Sequence, residues 1–172
     1  MLDVVYSAIG LTNNSVFATV PQVASRLAIT FLIFPHIDPT SHWAAAFSVA
    51  LCMLNWALIE VVRFGFYAAK AFGGFIGEVF GHLRYNTFIF AYVLGVSGEL
   101  AALYFGYKEI AAMDSPPLTV LMPNRWNFVF DFVAFLKVSP FIYAAGFPGL
   151  YMHMWSQRAR FYKPLDATKK AQ

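Results

Sequence analysis

A tyrosine and a glutamate seven residues apart, Tyr92 and Glu99, are the pair in this sequence best placed to move protons on one substrate. At 3.6 residues per turn they lie about 20° apart around a helix axis and about 10 Å apart along it, so they share a face. Gly95 stands one turn from each and leaves a gap in that face where a substrate could lie. A carboxyl group and a phenol can serve together as general acid and base. An ionisable residue inside an apolar helix points to function or to a specific partner. The competing reading makes Glu99 an interhelical hydrogen-bond anchor, because a lone carboxylate in hydrocarbon takes up a proton unless water, a cation or a hydrogen bond supports it.

Other candidates are weaker. Glu60 and Arg63 are spaced i,i+3 and can bridge on a helix surface, the better reading of that pair. Arg84 and Tyr85 open an apolar stretch, where a guanidinium could hold a phosphate or the two could serve as an ordinary interfacial anchor. Asp131 and Lys137 are six apart, poorly placed to pair on one face, and each is expected to meet a neighbouring helix or a wet cavity. The four histidines have no ligand spacing, and the single cysteine, Cys52, reads as a small buried hydrophobe. No metal site is therefore assigned. Cys52 is also not a phosphatase nucleophile, since Leu58 stands where an arginine would be needed, and no GxGxxG or P-loop motif is present.

The surrounding elements must be helices in a bilayer. Of 172 residues, 59% are hydrophobic and 12% charged, about half the charge of an ordinary soluble domain. A helix needs roughly 20 apolar residues to cross, so this length allows four or five spans in a single integral membrane domain. The sequence predicts spans at Val16 to Phe34, Trp43 to Val62, Tyr85 to Tyr107 and Phe128 to Tyr151. The first is weakened by Pro21 and Arg26. The second carries alanines and Ser48 as a small-residue packing face. Phe64 to Phe80, rich in glycine, reads as the end of the second helix plus an interfacial or re-entrant piece. Pro140, Gly146, Pro148 and Gly149 predict a kink or break in the last span.

Lysine and arginine number none in 35–42, three in 63–84, two in 108–127 and five after 157. The alternation puts both termini in the cytoplasm, with residues 158–172 a basic tail. It suits a membrane surface rather than nucleic acid. Lys169 and Lys170 then form a dilysine pattern of the endoplasmic reticulum retrieval type, or a plain solvated run. Met1-Leu2-Asp3 does not resemble the start of a removable secretory signal.

In order and spacing, these segments resemble the very-long-chain (3R)-3-hydroxyacyl-CoA dehydratases, also known as tyrosine-phosphatase-like membrane proteins. The resemblance is carried by Gln22-Val23-Ala24-Ser25-Arg26, by Trp56 with Glu60 to Phe64, and by Leu83-Arg84-Tyr85 with Phe88. It continues through Tyr92, Gly95 and Glu99, Met122-Pro123-Asn124, and Gly146 through Gln157-Arg158, covering about residues 6 to 162. The family's catalytic tyrosine and glutamate fall on Tyr92 and Glu99. Val93 replaces the proline usual after that tyrosine, and the chain is expected to lack the family's first membrane segment.

The resemblance implies an all-α polytopic bundle that removes water from a long-chain (3R)-3-hydroxyacyl-CoA, giving the trans-2-enoyl-CoA in fatty-acid elongation. Glu99 would take the α-proton and Tyr92 would assist the departing hydroxyl, although exchanged roles satisfy the same balance. No electrons are transferred to an acceptor, so no cofactor is implied beyond the CoA of the substrate. Arg63, Lys70, Arg84, Arg158 and Arg160 would surround a cytoplasmic mouth for the CoA phosphates, with Tyr85 and Gly95 beside the substrate. Membrane lipid and other elongation-cycle enzymes are the implied partners. A non-catalytic scaffold of the elongation complex and a small proton-coupled transporter using Glu99 are the readings from other classes.

Overall fold

In the computed structural model, residues 16–72 and 74–170 are described, although residues 16–19, 21, 70, 72 and 164–170 are placed by backbone only. The reading of the extreme N-terminus and the side chains of Lys169 and Lys170 lie outside the described residues. The protein is helical: α1 (Val16–Ala28), α2 (Trp43–Phe72), α3 (Gly74–Ala111) and α4 (Phe132–Lys170). From α1 the chain continues through a π-helical turn (Ile29–Ile33) and a 3-10 turn (Phe34–His36). Three stretches, Trp43–Ala69, Gly74–Ala111 and Phe132–Lys163, are long and apolar enough to cross a membrane. Backbone groups in hydrocarbon must be satisfied within their own segment, and that requirement favours uninterrupted helices.

Two stretches expected to be irregular are helical among the described residues. Within residues 64–80, α2 continues to Phe72 and α3 begins at Gly74, whose φ of 63° only glycine adopts freely. The glycines of this stretch are points of close approach. A Cβ on Gly65 would collide with the Phe80 ring, and one on Gly77 would lie 3.5 Å from the Ala69 carbonyl oxygen. The proline- and glycine-containing stretch 140–149 also stays helical within α4, with open space beside Gly146 and Gly149. Each proline removes one backbone hydrogen bond, and the remaining ladder holds the helix. The basic segment after Gln157 continues the same helix to Lys170.

The described residues form two compact units, and α2, α3 and α4 each contribute to both. One comprises residues 16–46 and 100–139. Its core holds Ile29, Ile33, Ile37, Leu103, Ile110 and Phe132, with Ile33 against Gly106. Asp38 accepts hydrogen bonds from the Thr40 hydroxyl at 2.7 Å and amide at 2.8 Å. These bonds hold its exposed carboxyl below the usual carboxylate range. The 112–131 connection is pinned by the antiparallel bridge between Val120 and Phe130 and by Asn124, whose Oδ1 accepts the Trp126 and Phe128 amides at 3.0 and 3.3 Å. Asp131 does not face a helix or cavity as expected. It is exposed and caps α4, accepting the Ala134 amide at 3.1 Å. Lys137 does meet a neighbouring helix, lying over the Tyr107 ring of α3, 5.8 Å from its centroid.

The other unit, residues 47–99 and 140–170, contains the candidate site. Its core runs along the small-residue face of α2, where Ser48, Cys52 and Asn55 are buried at helical spacing. Gly98 of α3 packs against Cys52, with a built Cβ falling 3.2 Å from Sγ. Small side chains at such a seam let helix backbones approach closely, which supplies packing where lipid offers no hydrophobic driving force.

Candidate active site

Phe88, Ala91, Gly95, Gly98 and Glu99 are buried on one face of α3, with Tyr92 half-buried among them. The 3.6-residue repeat dictates this stripe. Glu99 is 8% exposed, and both of its carboxylate oxygens are engaged. The Trp56 indole on α2 donates to Oε1 at 3.0 Å, and the Tyr143 hydroxyl on α4 donates to Oε2 at 2.7 Å. The anchor reading of Glu99 therefore has structural content, because three helices meet at this carboxylate.

Tyr92 stands edge-on to Phe88, with centroids 6.2 Å apart. Phe88 also meets Tyr151 and Trp155 edge-on at 5.9 and 5.7 Å. Tyr143, Phe147, Tyr151 and Trp155 recur every four residues along α4. That stripe stacks Phe147 on Tyr151 at 5.5 Å and lines the α3 face with rings. Its polar tips can order a ligand while its bodies exclude water.

The space over Gly95 is not open in the way its sequence position suggests. The Asn55 amide fills it: a Cβ at residue 95 would sit 2.6 Å from Asn55 Nδ2, which donates to the Ala91 carbonyl at 2.8 Å. Gly95 therefore admits Asn55 to the backbone of α3.

Toward the start of α3 the site becomes basic. Arg158 donates through Nε and Nη2 to Asn86 Oδ1 at 3.3 and 3.0 Å. Asn86 Nδ2 reaches the Tyr162 hydroxyl at 2.8 Å, and that hydroxyl also pairs with His82 Nδ1 at 2.8 Å. Arg84 lies over Phe66 and Tyr67, 4.8 and 5.1 Å from their centroids. Its Nη1 is buried and has no hydrogen-bond partner among the described residues. The Tyr85 ring stacks on Phe161 at 4.4 Å and meets Phe66 edge-on at 6.3 Å. Arg63 pairs with Glu60, as their spacing suggests, so its charge is partly spent within α2. Among the described residues no group of three His, Cys, Asp or Glu could hold a metal ion.

Sequence spacing alone did not identify Tyr143, Asn55 or Asn86, and it noted Trp56 only as part of a motif. Tyr143 lies 44 residues from Glu99. The one available signal was general: a tyrosine hydroxyl and a carboxyl in apolar spans each need a partner.

The chain matches the family model described as "Protein tyrosine phosphatase-like protein, PTPLA" over residues 1–164. It is 32% identical over 160 residues to the very-long-chain (3R)-3-hydroxyacyl-CoA dehydratase PASTICCINO 2A of Oryza sativa, covering 92% of this chain and 70% of the relative. The dehydratase hpo-8 of Caenorhabditis elegans is 34% identical, with 93% and 71% covered. Human dehydratase 2 is 32% identical over 170 residues, with 99% and 65% covered. No solved structure matches the chain.

Proposed function

The chain belongs to the protein tyrosine phosphatase-like family, and from that membership we propose that it is a membrane lyase acting on long-chain (3R)-3-hydroxyacyl-CoA. Its reaction is the dehydration to trans-2-enoyl-CoA within the fatty-acid elongation cycle. The dehydratase names of its relatives support the reaction class. The observation that carries the assignment to residues is the shared α3 face of Tyr92 and Glu99, with the carboxylate buried.

The elimination faces two obstacles, a weakly acidic α-proton and a poor leaving group. Glu99 removes the α-proton, the C–H electron pair becomes the second bond between Cα and Cβ, and the Cβ–O bond breaks. Tyr92 gives its proton to the departing hydroxide, so water leaves. Transfer of the proton from Glu99 back to the phenolate, through solvent, resets the pair. Loss of H⁺ and OH⁻ is redox-neutral, so the reaction calls for no electron-carrying cofactor.

The CoA end fits the basic region. Arg84 offers a buried donor that has no partner among the described residues, and Arg158 is oriented by Asn86 and rests over Trp155 and Tyr162. Guanidinium groups suit phosphate oxygens. The acyl chain extends among the apolar helices. Other enzymes of the elongation cycle are the expected neighbours, since its substrate is the product of a ketoreduction and its product is the substrate of an enoyl reduction. The decisive test is detergent-solubilised protein incubated with 3-hydroxyacyl-CoA and assayed for the enoyl product. Folded protein that forms none would favour the scaffold role.

The apolar helices mark a membrane protein, the proposed elongation role supports the endoplasmic reticulum, and the lysine and arginine distribution supports a cytoplasmic C-terminus. Two readouts check this placement. A cysteine introduced at Ser115 should be shielded from impermeant reagent in sealed vesicles with the cytoplasmic face outward, and labelling there would reverse the orientation. Replacing Lys169 and Lys170 with serine should release the protein to later compartments, and an unchanged reticular pattern would remove the retrieval role.

A further inference from the structure

We propose that Tyr143 and Trp56 are positioning residues that aim the Glu99 carboxylate at the substrate, a role that rests on Glu99 being the base. A glutamate side chain has three rotatable bonds, and an unsupported carboxylate on α3 would sample many orientations. Here one donor holds each oxygen, and the donors come from different helices. Trp56 Nε1 approaches Oε1 at 3.0 Å from α2, and the Tyr143 hydroxyl approaches Oε2 at 2.7 Å from α4.

Two bonds to two oxygens fix both the position and the plane of the carboxylate. A carboxylate has about four acceptor sites, so these two bonds do not themselves prevent it from taking a proton, now along a fixed direction. That arrangement supplies the orientation a proton abstraction requires. The indole N–H can only donate, whereas the tyrosine hydroxyl can donate or accept. Tyr143 can therefore keep its hydrogen bond whether Glu99 is ionised or has taken the α-proton. It is also the only member of the stripe Tyr143, Phe147, Tyr151 and Trp155 whose side chain has a hydrogen bond to Glu99 among those described.

The test is Tyr143→Phe in the full-length solubilised protein, which keeps the ring in its stripe and removes only the hydroxyl. Loss of one hydrogen bond to a charged group corresponds to a fall of roughly 10- to 100-fold in kcat, with KM within roughly twofold of the parent. The primary isotope effect with 2-deuterated substrate should rise, because α-proton removal becomes more fully rate-limiting. A residue that merely ties helices together would change the yield of folded protein and leave kcat per folded molecule and the isotope effect where they were. That result overturns the proposal. Trp56→Phe removes the other donor, is expected to give the same signature, and decides the case if Tyr143→Phe does not accumulate. Glu99→Gln run in parallel separates the two levels. An inactive Glu99→Gln beside an unaffected Tyr143→Phe defeats the positioning role alone, whereas an active Glu99→Gln defeats the assignment of the base and this proposal with it.

Discussion

Glu99→Gln, measured on folded protein, is expected to lower dehydration by about 10²- to 10⁴-fold, the usual contribution of a general acid–base group. Tyr92→Phe should cost a comparable factor. On the proposed mechanism each residue supplies one half of a coupled proton transfer, so the double variant should be little worse than the poorer single one. The surroundings of Glu99 make the glutamine variant a clean probe. Its amide oxygen can accept from the Trp56 indole while its amide nitrogen donates to Tyr143, whose hydroxyl turns round to accept. The three-helix junction thereby keeps its hydrogen bonds, and only the proton acceptor is lost. Intact helix content with little turnover is the expected outcome. Near-normal turnover would leave Glu99 as a structural anchor.

Gly95→Val should damage the fold itself. The new side chain must enter the space of the Asn55 amide, which is 5% exposed and bonded to the Ala91 carbonyl at 2.8 Å. If the helices separate, the strain is that of an overpacked core, about 1–3 kcal/mol. If Asn55 rotates away, a buried amide is left unsatisfied at a cost of about 1–3 kcal/mol. Either is a large part of the roughly 5–15 kcal/mol that holds a typical domain together. A lowered thermal midpoint in detergent is the expected reading. Asn55→Ala combined with Gly95→Ala should lose less than the two singles added, because the two positions compete for one volume. An unchanged midpoint for Gly95→Val would contradict the close approach of α2 and α3.

The parts of this arrangement legible in the sequence are those that depend on one helix at a time. The common face of Tyr92 and Glu99 follows from helix arithmetic, as does the buried stripe that includes Ser48 on α2. The apolar stretches gave the helical class because a bilayer permits few alternatives. Features that depend on how one helix is rotated against another were hidden. Nothing near Gly95 shows that Asn55, 40 positions earlier, will lie over it, and nothing near Glu99 announces Tyr143. Local composition also misled where packing overrode propensity. Glycines at 65 and 77 read as irregular backbone but serve as contact points, and Pro140 and Pro148 lie within continuous helix.

On α3 the residue that orients Arg158, Asn86, precedes Glu99 by thirteen positions, which at 1.5 Å per residue is about 20 Å of axial rise. On the function proposed above, the helix would act as a ruler laid between anion recognition and proton transfer. A thioester carrier would have to be long enough to span that interval, with its charged head at one mark and its reacting carbons at the other. An acyl group on a short thiol has no charge to register at the far mark, so such a site would select for the handle as well as for the chain it bears.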